Sequence, residues 1–100
     1  MTTALLAAEL KRQIGTTQVR AGVIGLGYVG LPLAVEFARA GYEVVGLDID
    51  TRKVDAIADG RSYIPDVSDA DVAQLVASGV LRATTDFDAI ARLDTVNICV

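Results

Sequence analysis

Apolar residues along this chain follow two patterns, short continuous runs and longer stretches with helical spacing. Continuous apolar runs bounded by turn residues are typical of strands that are covered on both faces. The segments with that pattern are 19–24, 43–48, 81–84 and 95–100. Helices are predicted between them at 29–40, at 51–59, from Ser68 to about Ser78 and from Asp86 to about Arg92. Strands that alternate with helices predict an α/β fold, with a parallel sheet and right-handed crossovers.

Residues suited to helix ends stand at the boundaries of these predicted helices. Glycine follows three of them, at Gly41, Gly60 and Gly79, where a left-handed backbone can end a helix. Asp50 is well placed to cap the helix at 51–59. Residues 68–71 resemble a capping box, with Asp in place of the usual Glu or Gln. These signals support the helix boundaries that the apolar pattern predicts.

The first residues are predicted to form a helical extension over 1–15, followed by a domain over 16–100. A short helix is predicted at 3–14 and ends at Gly15; its apolar face consists of Leu6, Leu10 and Ile14. We expect this helix to pack on the edge of the domain, because its polar face has too few cations for a helix that lies on a membrane. The stretch is neither a good signal peptide nor long enough to span a membrane.

The end of the chain interrupts its own pattern. The last predicted strand reaches Val100 with no turn residue after it. A natural domain rarely stops inside a buried strand, so we expect the chain to be a piece of a longer protein. The sheet is then the N-terminal half of a doubly wound sheet, incomplete at its C-terminal end.

Composition and charge exclude several classes of function. The formal net charge is −4, and the longest basic runs are the pairs Lys11-Arg12 and Arg52-Lys53. A nucleic-acid-binding surface needs many more cations, so an anionic ligand has to be held by backbone dipoles or a few placed cations. With no histidine and a single cysteine, Cys99, the chain has neither a disulfide framework nor a Cys/His zinc site. A cytoplasmic setting is therefore expected.

The turn between the first strand and the first helix carries the most specific motif. Residues 25–30 read GLGYVG, a glycine spacing that is weak evidence alone but here follows a strand and opens a helix. Gly25 allows the tight turn, Gly27 lets the backbone approach a pyrophosphate, and Gly30 lets the helix sit close to the sheet. The free N–H groups around Tyr28 and Val29 would face the phosphates. The motif predicts a Rossmann-type dinucleotide site.

An acidic residue at the end of the second strand indicates which dinucleotide binds. Asp48 lies 18 residues after Gly30 and can accept hydrogen bonds from both ribose hydroxyls. A 2′-phosphate would meet this carboxylate, so NAD is favoured over NADP. The alternative role for Asp48, a helix N-cap, suits Asp50 better. Lys53 and Arg52 are candidates to flank the adenosine, although solvated helix charges are an alternative.

Residues 24–50, IGLGYVGLPLAVEFARAGYEVVGLDID, resemble the opening of the UDP-glucose/GDP-mannose dehydrogenase family. The run LPLA after the glycines is more diagnostic than the glycines themselves. Later stretches fit as well: KVDAIADGRSYIPDV, LRATTDFDAI and DTVNICV. The N-terminal helix and the SYI-x-DV motif favour the branch that acts on UDP-N-acetylhexosamines. The resemblance covers nearly the whole chain from about residue 5.

The resemblance implies an enzyme that oxidises C6 of a nucleotide sugar from alcohol to carboxylate, in two hydride transfers to NAD. By resemblance, the cofactor contacts are Gly25, Gly27, Tyr28, Val29, Gly30, Asp48 and Lys53. The catalytic cysteine and lysine would lie beyond residue 100, so no catalytic residue is assigned here and the chain alone is expected to be inactive. Homo-oligomer formation through later segments and a role in supplying polysaccharide precursors are implied in the same way.

Two other functions remain open on the residues alone. One is another Rossmann dehydrogenase, of the hydroxyacid or hydroxyacyl-CoA type, although the run YVGLPL argues against it. The other is a nucleotide-sensing module without catalysis. Cys99 is predicted to be a buried structural thiol, since no base or positive field is indicated near it.

Overall fold

Four parallel strands form one sheet in the computed structural model, which describes residues 19–99. The strands are β1 Arg20–Ile24, β2 Glu43–Leu47, β3 Leu81–Thr84 and β4 Thr95–Ile98. Their order across the sheet is β3-β2-β1-β4, so β1 pairs with β2 on one side and with β4 on the other. In this register Ile24 lies between Leu47 and Ile98. The carboxyl end of β1 is therefore the point at which the strand order reverses, where open α/β sheets bind ligands.

The helices between the strands are α1 Gly30–Arg39, α2 Thr51–Ala58, α3 Asp69–Ala77 and a 3₁₀ helix at Phe87–Arg92. The strands and helices predicted for the described residues are all present, with bounds shifted by one or two residues. The last helix has 3₁₀ geometry over six residues, which is longer than most 3₁₀ helices. The helix predicted at 3–14, with Gly15 at its end, lies outside the described residues, as does Val100. The domain limits at 15 and 16 stay a prediction.

The helix ends agree with the residues that mark them in the sequence. Gly41, Gly60 and Gly79 have φ of 98°, 74° and 81°, the left-handed conformation that ends a helix. The Ser68 hydroxyl accepts a hydrogen bond from the Asp71 amide at 3.1 Å, which is one half of the predicted capping box. The return bond to the Ser68 amide is absent between these two residues, because the shorter Asp71 side chain pairs with Arg39 of α1.

The core lies between the helices and one face of the sheet, and α1 contributes most of its helical part. Leu31, Ala34, Val35 and Ala38 of α1 pack against Val23 and Val44 of the central strands. On β4, the side chains of Val96 and Ile98 are 39% and 69% exposed. None of the described helices combines the length and apolarity needed to cross a membrane. The packed face fixes α1 against β1 and thereby sets the geometry of the turn that joins them.

Candidate nucleotide-binding site

The glycine turn at the carboxyl end of β1 is held by backbone hydrogen bonds. Gly25 has a φ of 90°, a conformation that side-chain-bearing residues rarely adopt. Its amide donates to the Leu47 carbonyl at 2.8 Å, which ties the turn to the end of β2. The Leu31 amide donates to the Gly27 carbonyl at 3.1 Å and begins the helical pattern. The turn therefore leads directly from β1 into α1, as the sequence motif predicts.

Gly30 is required by the turn itself. A Cβ at this position would lie 1.5 Å from the Gly25 carbonyl oxygen and 2.7 Å from the Gly25 carbonyl carbon. The neighbouring Cys99 Cβ would be 3.4 Å away, an ordinary contact by comparison. The sequence assigns Gly30 to close packing of helix and sheet, whereas in the structure the tightest contact is with the backbone of the turn.

Gly27 differs from Gly30, because a Cβ there would meet no described atom within 4 Å other than those of its chain neighbours Leu26 and Tyr28. The space beside it is open rather than filled by the protein. The backbone N–H groups of Gly27, Tyr28 and Val29 donate to no other residue within 19–99. The turn thus presents unpaired donors beside a space that a side chain would occupy, as a backbone that approaches a ligand requires.

The start of α1 also lacks a side-chain cap, in contrast to the other described helices. Asp50, Ser68 and Asp86 each accept a backbone N–H at the starts of α2, α3 and the 3₁₀ helix, at 2.9, 3.1 and 3.0 Å. Val29 occupies the equivalent position of α1 and offers no acceptor, and the first turn of α1 has no acidic residue. The positive end of the α1 dipole is therefore open to an anion.

Asp48 faces this turn from the end of β2 and is already engaged by the protein. One carboxylate oxygen accepts the Leu26 amide at 2.9 Å and the other accepts the Asp50 amide at 2.8 Å. The side chain is 11% exposed, and the Lys53 ammonium lies 3.9 Å from Oδ2. A carboxylate oxygen can accept two hydrogen bonds, so each oxygen keeps one acceptor position that these two amides do not use. Asp50, not Asp48, caps α2, as the sequence favours.

An open cleft of about 350 Å³ joins these groups at the carboxyl edge of the sheet. It is lined by Ile24, Gly25, Gly27, Leu47, Asp48, Ile49, Lys53, Phe87 and Cys99. The structure thus brings four of the seven predicted contacts to one cleft. Tyr28 and Val29 lie beside it on the turn, with their side chains 78% and 68% exposed. Arg52 lies elsewhere, because its guanidinium pairs with Asp50.

Five residues that line the cleft are not among the predicted contacts: Ile24, Leu47, Ile49, Phe87 and Cys99. Of these, Ile49 is 85% exposed, and Phe87 is the first residue of the 3₁₀ helix. The expectation that Cys99 is buried is wrong in degree, because the residue is partly exposed and lines the cleft. Its amide donates to the Ile24 carbonyl at 2.8 Å and extends the pairing of β4 with β1.

Tyr63, in the loop between α2 and α3, is a further residue that the sequence does not single out. Its hydroxyl donates a hydrogen bond to the Leu26 carbonyl within the glycine turn. Burial raises the pKa of Tyr63 well above its usual value, and the nearby carboxylates of Asp48 and Asp50 raise it further. The phenol therefore remains protonated, and remains a donor, over the whole range in which proteins are usually studied.

Comparison with known proteins adds a family match to this geometry. The model of the UDP-glucose/GDP-mannose dehydrogenase family, NAD binding domain, matches residues 19–100. The GDP-mannose 6-dehydrogenase of Pseudomonas putida is 42% identical over 84 residues, which are 82% of this chain and 19% of that protein. The NDP-N-acetyl-D-galactosaminuronic acid dehydrogenase of Ralstonia nicotianae is 48% identical over 66 residues, 64% of this chain and 15% of that protein.

A solved structure also resembles the chain. The ternary complex of GDP-mannose dehydrogenase from Pseudomonas aeruginosa superposes with a TM-score of 0.77 at 39% identity. The match covers 82% of this chain and 19% of that one. The chain therefore spans about one fifth of the length of the relatives that it matches.

Proposed function

This chain belongs to the UDP-glucose/GDP-mannose dehydrogenase family, whose NAD-binding domain it matches, and from that premise we propose that it supplies the cofactor site of a nucleotide-sugar 6-dehydrogenase. The observation that carries the proposal is the start of α1. It combines an open space beside Gly27, unpaired amides and no side-chain cap, next to the acidic Asp48. That combination suits an anionic group attached to a ribose.

The residues of this chain would hold NAD in two ways. The amides of Gly27, Tyr28 and Val29 bind the pyrophosphate, with the dipole of α1 behind them. The free acceptor positions of Asp48 bind the adenosine ribose, and Lys53 stays beside the same carboxylate. Bound NAD supplies the hydride acceptor for oxidation of a sugar alcohol. The catalytic groups are proposed to lie outside residues 1–100, because the thiol of Cys99 has no basic side chain among its partners within residues 19–99.

The substrate is proposed to be a UDP-N-acetylhexosamine, oxidised at C6 to the carboxylate for polysaccharide supply. The stretch Ser62-Tyr63-Ile64 and the N-terminal residues support this branch of the family. One relative bears the name NDP-N-acetyl-D-galactosaminuronic acid dehydrogenase, and another bears the name GDP-mannose 6-dehydrogenase. The relatives of this chain therefore differ in the nucleotide sugar that their names give. Homo-oligomer formation through further segments and a cytoplasmic setting belong to the same proposal.

The experiment that tests the proposal supplies residues 1–100 with NAD and each of UDP-glucose, UDP-N-acetylglucosamine and UDP-N-acetylgalactosamine. We expect NAD binding by calorimetry but no NADH absorbance, because the catalytic groups are proposed to lie in other segments of the protein. Absence of NAD binding would contradict the cofactor role. Turnover above background that is lost on Cys99→Ser would contradict the assignment of the chemistry to other segments.

Asp48 is predicted to set the preference for NAD over NADP. Asp48→Ala should weaken NAD binding about tenfold or more, because charge-assisted hydrogen bonds to the ribose are lost. NADP should lose less or gain, since its added phosphate no longer faces a carboxylate. Calorimetry with both cofactors measures the ratio of the two affinities.

That ratio matters because Asp48→Ala also removes the acceptor of the Leu26 and Asp50 amides. General damage to the turn would weaken both cofactors equally and leave the ratio unchanged. Asp66→Ala is the matched control, since Asp66 is an exposed carboxylate with no bond to another described side chain. Equal affinity of the unmodified protein for NAD and NADP would show that Asp48 does not bind the ribose.

A further inference from the structure

Leu26, the residue between the first two glycines of the turn, is fixed by other parts of the fold at three points. Its amide donates to Asp48, and its carbonyl accepts the hydroxyl of Tyr63. Its side chain is fully buried and lies against Gly46, where an added Cβ would approach it to 2.8 Å. The Leu26 residue is therefore held from β2 on one side and from the α2–α3 loop on the other.

The carbonyl bond has a consequence for the next amide. The described chain has no cis peptide bond, so the Leu26–Gly27 peptide is trans, and its C=O and N–H point in opposite directions. Because the carbonyl points to Tyr63, the Gly27 N–H points away from Tyr63. That N–H is one of the donors left without a partner among the described residues.

We propose that Tyr63 is a positioning residue for pyrophosphate binding, which acts by locking the orientation of the Leu26–Gly27 peptide. This inference rests on the proposed cofactor role of the chain. Without the hydroxyl, the Leu26 carbonyl loses its partner and the peptide gains access to the flipped orientation. In that orientation a carbonyl oxygen takes the place of an N–H donor, and it repels a phosphate instead of binding it.

The loop that carries Tyr63 is itself anchored to the domain. The Ser62 amide donates to the Asp69 carboxylate at 2.7 Å, and the Ser62 hydroxyl donates to the Ile64 carbonyl at 2.9 Å. Ile64 and Val67 are buried in the core. The backbone that carries the Tyr63 side chain is therefore held in place, as is required of a residue that orients a distant peptide.

Tyr63→Phe tests this inference, because it removes the hydroxyl and keeps the ring. We expect the affinities for NAD and for ADP to fall about three- to tenfold, the range of one neutral hydrogen bond. The affinity for adenosine, which has no phosphate, should stay unchanged. Calorimetry measures NAD and ADP, and NMR titration measures the weaker adenosine.

Tyr42→Phe is the matched control, since the Tyr42 hydroxyl is buried and has no hydrogen-bond partner among residues 19–99. It should leave all three affinities unchanged. Equal losses for ADP and adenosine, unchanged ADP affinity in Tyr63→Phe, or the same loss in Tyr42→Phe would each overturn the positioning role. Failure of the unmodified protein to bind NAD and ADP would instead overturn the proposed function on which this role rests.

Discussion

Gly27→Val is expected to abolish measurable NAD binding while the fold stays intact. Apart from the chain neighbours Leu26 and Tyr28, no described residue lies within 4 Å of the position of an added Cβ, so we expect the unliganded protein to accommodate the side chain. The same side chain occupies the space through which a pyrophosphate reaches the amides of the turn. Loss of two charge-assisted hydrogen bonds corresponds to an affinity decrease of about 100-fold or more. Calorimetry and thermal unfolding measure the two properties separately.

Two control variants separate the effect of the size of the added side chain from the effect of its position. Gly27→Ala should give a smaller loss, because it adds only the Cβ. Ala70→Val adds the two methyl groups of valine on the exposed surface of α3 and should leave NAD affinity unchanged. Unchanged NAD affinity in Gly27→Val would place the phosphates elsewhere on the molecule.

Gly30→Ala is expected to damage both the fold and the binding, in contrast to Gly27→Val. The added Cβ would lie 1.5 Å from the Gly25 carbonyl oxygen, and no flexible side chain can move aside to accept it. The turn must open, which should lower the free energy of unfolding by about 3 kcal/mol or more. NAD binding should fall as well, because the amides of the turn lose their arrangement. Chemical denaturation and calorimetry on the same variant measure both effects.

The comparison of the two glycine variants is informative because they lie three residues apart in one motif. Gly30→Ala with the stability of the unmodified protein would show that the Gly25 carbonyl does not lie against Gly30. If Gly27→Val lost as much stability as Gly30→Ala, its loss of NAD binding would no longer identify the phosphate site.

Sequence alone predicts the elements of this fold well, because their signals are local. The caps Asp50 and Ser68 and the left-handed glycines Gly41 and Gly60 each act within a few residues of their own helix. The glycine turn and Asp48 are likewise recognised from spacing within one β-α-β unit. The residues at the centre of the cleft are therefore predictable from the sequence.

The contacts that fix the turn are not predictable in this way, because they join distant segments. Tyr63 and Leu26 are 37 residues apart, and a tyrosine in a loop has no pattern that identifies its acceptor. From the sequence, Asp48 is expected either to bind a ribose or to cap a helix. In the fold, its carboxylate also accepts a hydrogen bond from the Leu26 amide. The exposure of Cys99 depends on what packs beside β4, which local sequence does not specify.

The measurement that tests the phosphate-binding role of the glycine turn most directly is an NMR titration of the ¹⁵N-labelled protein with NAD and, in parallel, with ADP. We predict saturable shifts in the backbone amide signals of Gly27, Tyr28 and Val29, of the same kind for both ligands because both carry the pyrophosphate. The chemical shifts of residues near the amino ends of the strands, such as Arg20 and Arg82, should not change. Shift changes confined to the amino ends of the strands, with the signals of the three turn amides unchanged, would contradict the assignment of the pyrophosphate to this turn.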